Sequence, residues 1–180
     1  MRRQPTKPHL GTTSIRLLVM FGIALAIGMS AGVAYSHYVY HKTDLWADDK
    51  SCTRGYSEIS HGGGAGYAKA ESSAGNIHQY FLCLPPGSLR PPYFIRLEYE
   101  LMKYLDGYWG ICWYNGGWIY NGTDAETVSD YQDFGNDSPP CSDGYYATYA
   151  HAEVKWDGTW RGGWLWSGRS GDDSHYLPSP

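Results

Sequence analysis

Two short stretches, Trp113-Tyr114-Asn115-Gly116-Gly117-Trp118 and Lys155-Trp156-Asp157-Gly158-Thr159-Trp160, constrain the fold of this chain more than any other feature. Asn-Gly or Asp-Gly between large alternating residues is the sequence of a tight β-hairpin. A type I′ turn places both central residues at positive φ, and its twist matches that of the flanking strands. Both stretches lie within residues 108–166, which hold seven of the eight tryptophans together with seven tyrosines and nine glycines. The chain therefore reads as all-β, built around this tryptophan-rich block.

Turns of this kind also set register. With Asp157-Gly158 as a two-residue turn, Lys155 pairs with Trp160, His151 with Trp164 and Tyr149 with Trp166. One face of that hairpin carries Ala150, Ala152, Val154, Trp156 and Leu165, a core face; the other carries Tyr149, His151, Glu153, Lys155, Trp160, Trp164 and Trp166. Residues 93–105 fit two patterns. As a helix they have Pro91 and Pro92 in front, Gly107 behind and apolar residues at 94, 97, 101 and 105. As a strand they alternate Ile95, Leu97, Tyr99 and Leu101 with Arg96, Glu98 and Glu100. The strand is favoured by register. Two-residue turns at Asp106-Gly107 and Asn115-Gly116 pair Leu105 with Tyr108, Leu101 with Cys112, Cys112 with Ile119 and Trp113 with Trp118. Ile95, Leu97, Tyr99, Leu101, Leu105, Cys112 and Ile119 then share a core face, and Arg96, Glu98, Glu100, Trp109, Trp113, Trp118 and Tyr120 share the other.

The N-terminal end carries Arg2, Arg3, Lys7 and Arg16 without an acid, followed by the apolar run from Leu17 to Met29. Residues 1–34 thus read as one hydrophobic targeting helix with two outcomes. Gly32-Val33-Ala34 suits cleavage of a signal peptide, while an apolar stretch of about 19 residues suits a transmembrane anchor with the N-terminus in the cytoplasm. Either way residues 35–180 are extracytoplasmic, secreted or held at the membrane. They carry ten Lys/Arg against eighteen Asp/Glu. An acidic body of this kind repels a phosphate backbone, so nucleic acid is not an expected partner.

An exported body explains the cysteines. Cys52, Cys83, Cys112 and Cys141 are spaced 31, 29 and 29 residues apart, which in an oxidising compartment argues for two disulfides. A four-cysteine zinc site wants close pairs with two residues between them, and none exists. Sequential pairing, Cys52 with Cys83 and Cys112 with Cys141, closes loops of about 30 residues and is the expected connectivity.

Around this frame, residues 35–47 read as a polar, aromatic stalk and 168–180 as a flexible tail. The run Ser60-His61-Gly62-Gly63-Gly64-Ala65-Gly66 reads as a loop, since it lacks the Gly-Lys-Ser/Thr ending of a phosphate cradle. Residues 78–84 read as a strand stopped by Pro85-Pro86-Gly87. The expected architecture is one disulfide-stapled β domain at 48–167, a sandwich or small barrel of about six to nine short antiparallel strands.

The two charged faces carry the functional signal. Sugar rings stack their C–H faces on indole, and nearby carboxylates and imidazole hydrogen-bond hydroxyls. The candidate ligand-binding residues are Tyr149, His151, Glu153, Trp160, Trp164, Trp166, Trp113, Trp118 and Glu100, with a polysaccharide chain laid along a row of rings about 7 Å apart. The alternatives are a structural or protein-interaction domain with packed tryptophans, and a glycan hydrolase using Glu98 and Glu100 as acid and base. Alternating acids on the wet side of a strand are commonplace, so no catalytic residue is assigned. His151 with Glu153 lacks a third metal ligand, and the acidic segment Asp130, Asp133, Asn136, Asp137 and Asp143 matches no calcium loop. No cofactor or metal is expected. Asn121-Gly122-Thr123 fits the glycosylation sequon. The expected partners are polysaccharide or a surface protein, and the membrane if residues 1–34 are retained.

Overall fold

The computed structural model describes residues 37–62, 65–77, 83–84, 87–134, 140–168 and 175–177; the basic and apolar head, with its choice between signal peptide and anchor, lies outside them. Eleven strands are described: β1 (His37–Ala47), β2 (Ser51–Gly62), β3 (Ala65–Ile77), β4 (Cys83–Leu84), β5 (Ile95–Leu105), β6 (Tyr108–Tyr114), β7 (Ile119–Tyr120), β8 (Thr127–Asp133), β9 (Gly144–Trp156), β10 (Thr159–Trp166) and β11 (His175–Leu177). All pair antiparallel, in two curled sheets. The first sheet runs β1-β2-β3-β4, with β8 also on β3; the second runs β10-β9-β5-β6, with β7 also on β5 and β11 also on β9.

The β9–β10 hairpin follows the Asp157-Gly158 turn residue for residue, from Thr159↔Trp156 through Trp160↔Lys155 and Trp164↔His151 to Trp166↔Tyr149. Asp157 and Gly158 have φ of 47° and 79°, as a type I′ turn requires. Residues 95–105 are strand β5, not helix, and Ile95, Leu97, Tyr99 and Leu101 are all fully buried.

The register of β6 departs from expectation beyond its first turn. Leu105↔Tyr108 and Met102↔Ile111 pair as the Asp106-Gly107 turn demands, but Leu101 then pairs with Trp113, leaving Cys112 as the extra residue of a β-bulge. The bulge reverses the faces of the residues after it. Trp113 joins the core side, tilted 5.4 Å from the Tyr99 ring, and Tyr114 turns outward opposite Glu100. Leu105, expected in the core, is exposed at the turn.

Asn115-Gly116 makes no hairpin. β7 continues along the same edge of β5 as β6, through Leu97↔Ile119 and Arg96↔Tyr120, so four residues of this edge stand opposite two of β5. Asn115 holds the expansion. Its N–H donates to Tyr99 O at 3.2 Å, its Oδ1 accepts from Tyr99 N–H at 3.2 Å, and its Nδ2 donates to Gly117 O at 2.9 Å. A side-chain amide thus replaces a backbone rung, while Gly116 and Gly117 take positive φ. The expected pairs Cys112–Ile119 and Trp113–Trp118 do not form.

The first sheet contains what reads as stalk and loop. The stalk residues are largely β1, paired with β2 from His37↔His61 to Ala47↔Cys52, and the described residues of the glycine-rich segment, 60–62 and 65–66, lie in β2 and β3, paired up to Gly62↔Ala65. These strands lack a hydrophobic period because their inner positions are small. Ala68, Ala70, Ser72 and Ala74 are buried against the second sheet, close enough for side chains to bond the facing backbone. Ser57 Oγ donates to Thr148 O at 2.8 Å, Thr148 Oγ1 to Glu58 O at 2.7 Å, and Ser72 Oγ to Glu153 O at 3.1 Å. Of residues 78–84, only Cys83–Leu84 are described, as strand β4. Within the expected tail, His175–Leu177 pairs with Gly144–Tyr146 on β9 and Leu177 is buried in the core.

Two disulfides join Cys52 to Cys83 and Cys112 to Cys141, the sequential pairing, and no described cysteine is free. Cys52–Cys83 ties β2 to β4 inside the first sheet. Cys112–Cys141 fastens the bulge of β6 to the segment leading into β9.

Candidate binding face

Strand register brings the candidate residues together on the outer face of the second sheet. Neighbouring side chains across β5, β9 and β10 form three rows: Arg96–Glu153–Gly162, Glu98–His151–Trp164 and Glu100–Tyr149–Trp166. β7 adds Tyr120 beside Arg96, and β6 adds Tyr114 beside Glu100. The widened edge at Asn115–Trp118 brings Trp118 over the middle of this face, 4.9 Å from the His151 ring and 3.9 Å from the Arg96 guanidinium.

The rings are held by one another. Trp164 stacks on both Tyr149 and His151, each at 4.4 Å and 18°. Tyr149 also stacks on Trp166 at 4.3 Å, and Trp166 meets Trp109 at 5.6 Å, which meets Tyr104 at 5.4 Å. On the other side Arg96 lies over Trp118 and, at 4.2 Å, over Trp160, which packs edge-on against Tyr120. Such contacts fix side-chain rotamers before any ligand arrives.

Charges are threaded through the aromatic array. Arg96 forks onto Glu153 Oε2, with Nη2 at 2.5 Å and Nε at 2.7 Å. His151 lies between two carboxylates, Nδ1 at 3.2 Å from Glu98 Oε1 and Nε2 at 3.6 Å from Glu153 Oε1. Tyr114 donates its hydroxyl to the other oxygen of Glu98 at 2.9 Å, and this bond raises the Tyr114 pKa above the usual phenol value. Glu100 differs from its neighbours. It has no hydrogen-bond or ion-pair partner among the described residues, and burial, reinforced by the charge of Glu98, pushes its carboxyl above the usual range.

Of the nine residues singled out from sequence, eight share this face: Glu100, Trp118, Tyr149, His151, Glu153, Trp160, Trp164 and Trp166. Trp113 does not; the Cys112 bulge sends it inward, against Tyr99 and Phe134. Nor do the tryptophans of β10 form an open, evenly spaced row. Gly162 interrupts them opposite Glu153, Trp160 gives a face to Arg96, and Trp164 stacks on two neighbours. Arg96, Glu98 and Tyr114 complete the site. Alternation along β5 already put the first two on the outer face, whereas Tyr114 depends on the bulge.

The other candidates serve structure. Asn121 of the sequon is 4% exposed, and its Oδ1 accepts from the N–H groups of Phe94 and Ile95 at 2.9 and 2.8 Å. Its Nδ2 donates to Arg90 O, Pro91 O and Thr123 O, so the nitrogen that would carry a glycan is committed. Asp130 accepts from the Tyr99 hydroxyl and Asp143 from the Tyr176 hydroxyl, while Asn136 and Asp137 lie outside the described residues. Among the described residues, no three His, Cys, Asp or Glu side chains gather to hold a metal.

Compared with known protein families, with characterised proteins and with solved structures, the chain matches none.

Proposed function

We propose that the protein is an extracytoplasmic, non-catalytic domain that binds polysaccharide across the outer face of the second sheet. Residues 1–34 would deliver it there, as a cleaved signal peptide or as an anchor with the N-terminus in the cytoplasm. The two disulfides suit that compartment. The observation that carries the binding reading is an aromatic sheet face with no described strand over it. The five described strands outside this sheet all belong to the first sheet, which packs on the opposite face.

A face this rich in Trp and Tyr with no described strand over it is a poor use of apolar surface unless it meets a ligand. Trp164 is 40% exposed, Tyr114 42% and Tyr120 38%. Tyr114 and Tyr120 can offer ring faces to sugar C–H groups beside the exposed edge of Trp164, which its two stacks hold in place, while Glu98, Glu153 and the tyrosine hydroxyls are placed to bond sugar hydroxyls. Because the rings already brace one another, binding would lose little side-chain entropy. The competing reading, a protein-interaction surface, draws on the same interlocking, which leaves ring edges as well as faces at the surface.

Retention on insoluble polysaccharides such as cellulose, chitin and cell-wall sacculi tests the proposal. The wild-type domain should be retained on at least one of them and Trp164→Ala released, with the variant losing only about 1 kcal/mol of stability for its broken stacks. A wild-type domain retained on none would overturn it.

A further inference from the structure

We propose that the polysaccharide is an amine-bearing one, a de-N-acetylated amino-sugar chain whose ammonium group docks on Glu100 between Tyr114 and Tyr149. This rests on the binding face proposed above and specifies what that face selects. Three carboxylates stand on the face, and two have partners: Glu153 holds Arg96 and approaches His151, while Glu98 takes the hydroxyl of Tyr114 and meets the other nitrogen of His151. A further cation of this face, Lys155, lies over Phe94 at 5.3 Å and over Trp160 at 6.0 Å, two β9 positions beyond Glu153 and away from Glu100. Among the described residues, Glu100 is thus the one carboxylate of the three without a bonding partner, and the charge that acts on it is that of Glu98, of the same sign.

Surroundings matter as much as charge. Glu100 is directly opposite Tyr114 on one side and Tyr149 on the other, and Tyr149 continues into Trp166. A half-buried carboxylate flanked by aromatic rings is the chemistry that receives an organic ammonium. The exposed Tyr114 ring can attract the cation through its face, Tyr149 walls the other side within its stack on Trp164 and Trp166, and the acid supplies a charged hydrogen-bond acceptor. A neutral sugar would leave that acid unpaired and further desolvated, whereas an ammonium would neutralise it. The body's excess of acidic over basic residues favours a polycation over longer range as well.

The test compares glucosamine oligomers with N-acetylglucosamine oligomers of equal length, by calorimetric titration of the disulfide-intact domain at low ionic strength. The free-amine oligomer should bind more tightly, added salt should weaken it, and Glu100→Gln should lower its affinity about tenfold while binding the acetylated oligomer no more weakly than wild type does. The variant's melting temperature, measured alongside, should not fall, because a partly buried and unpaired charge has been removed. If the acetylated oligomer binds as well as the amine, the amine inference fails and polysaccharide binding stands. If neither binds, the amine inference fails and retention on the insoluble polysaccharides decides the rest; if only a lysine oligomer binds and no polysaccharide retains the protein, both fail.

Discussion

A Cβ at Gly162 would lie 2.0 Å from the carbonyl oxygen of Ala152 and 2.8 Å from Glu153 Cα, and φ there is +157°. The missing side chain is what lets β10 approach β9 where Arg96 grips Glu153. At Gly163 a Cβ would meet nothing within 4 Å. Gly162→Ala is therefore expected to lose about 3 kcal/mol and Gly163→Ala well under about 1, compared by urea midpoints. Equal losses would contradict the geometry. Glu100 gives a prediction of the opposite sign. Its folded pKa is raised, so ionisation favours the unfolded state: the penalty is absent at pH below the normal glutamate range and grows as pH rises through the raised folded value. Glu100→Gln should melt higher than wild type at neutral pH and no differently in acid. A thermal series across pH checks this, and a variant less stable at neutral pH would show that the carboxylate has a partner after all.

At the scale of elements, the chain is legible where turn chemistry and alternation agree. Asp157-Gly158 can adopt positive φ at both positions and is followed by an uninterrupted pairing, so the β9–β10 faces follow from the sequence without error. Cys112-Trp113-Tyr114 is different. A cysteine and two aromatic residues in a row fit either face, and nothing in them announces a bulge. Asn115-Gly116 misleads because the same residues that make a hairpin turn can also widen an edge when the asparagine amide completes a ladder. β2 and β3 are hidden for another reason: apart from Thr53 and Ile59 their inward residues are Ala, Ser and Gly, sized to the close approach of the facing sheet, a tertiary fact without a local period. The site was mostly legible because its rows depend on β5, β9 and β10. The corrected register has a measurable consequence. Trp113→Ala, on the core side against Tyr99 and Phe134, should lose about 3 to 5 kcal/mol, whereas Trp118→Ala, on the outer face, should lose markedly less. Paired chemical denaturation of the two variants decides it, and the reverse order would restore the simple hairpin.

For the molecule as a whole, the two disulfides occupy unequal environments. Cys52 and Cys83 are fully buried between strands of the first sheet, whereas Cys112 and Cys141 are only partly buried, at the bulge and beside the entry to β9. Thiol–disulfide exchange needs an attacking thiolate to reach a sulfur, so burial sets the order of reduction. Under native conditions a mild dithiol should open Cys112–Cys141 first, while Cys52–Cys83 waits for global unfolding. The bonds span 29 and 31 residues, so each restrains the unfolded chain by about 3 to 4 kcal/mol in the chain-entropy model. The singly reduced protein should therefore remain folded but melt lower, with the Cys112 bulge released and Trp113 freed from its anchor. Timed alkylation followed by peptide mass spectrometry would show label on Cys112 and Cys141 before any on Cys52 and Cys83. Simultaneous labelling of all four would mean that the first reduction unfolds the domain, and that the two sheets have no stability of their own without the clasp between bulge and β9.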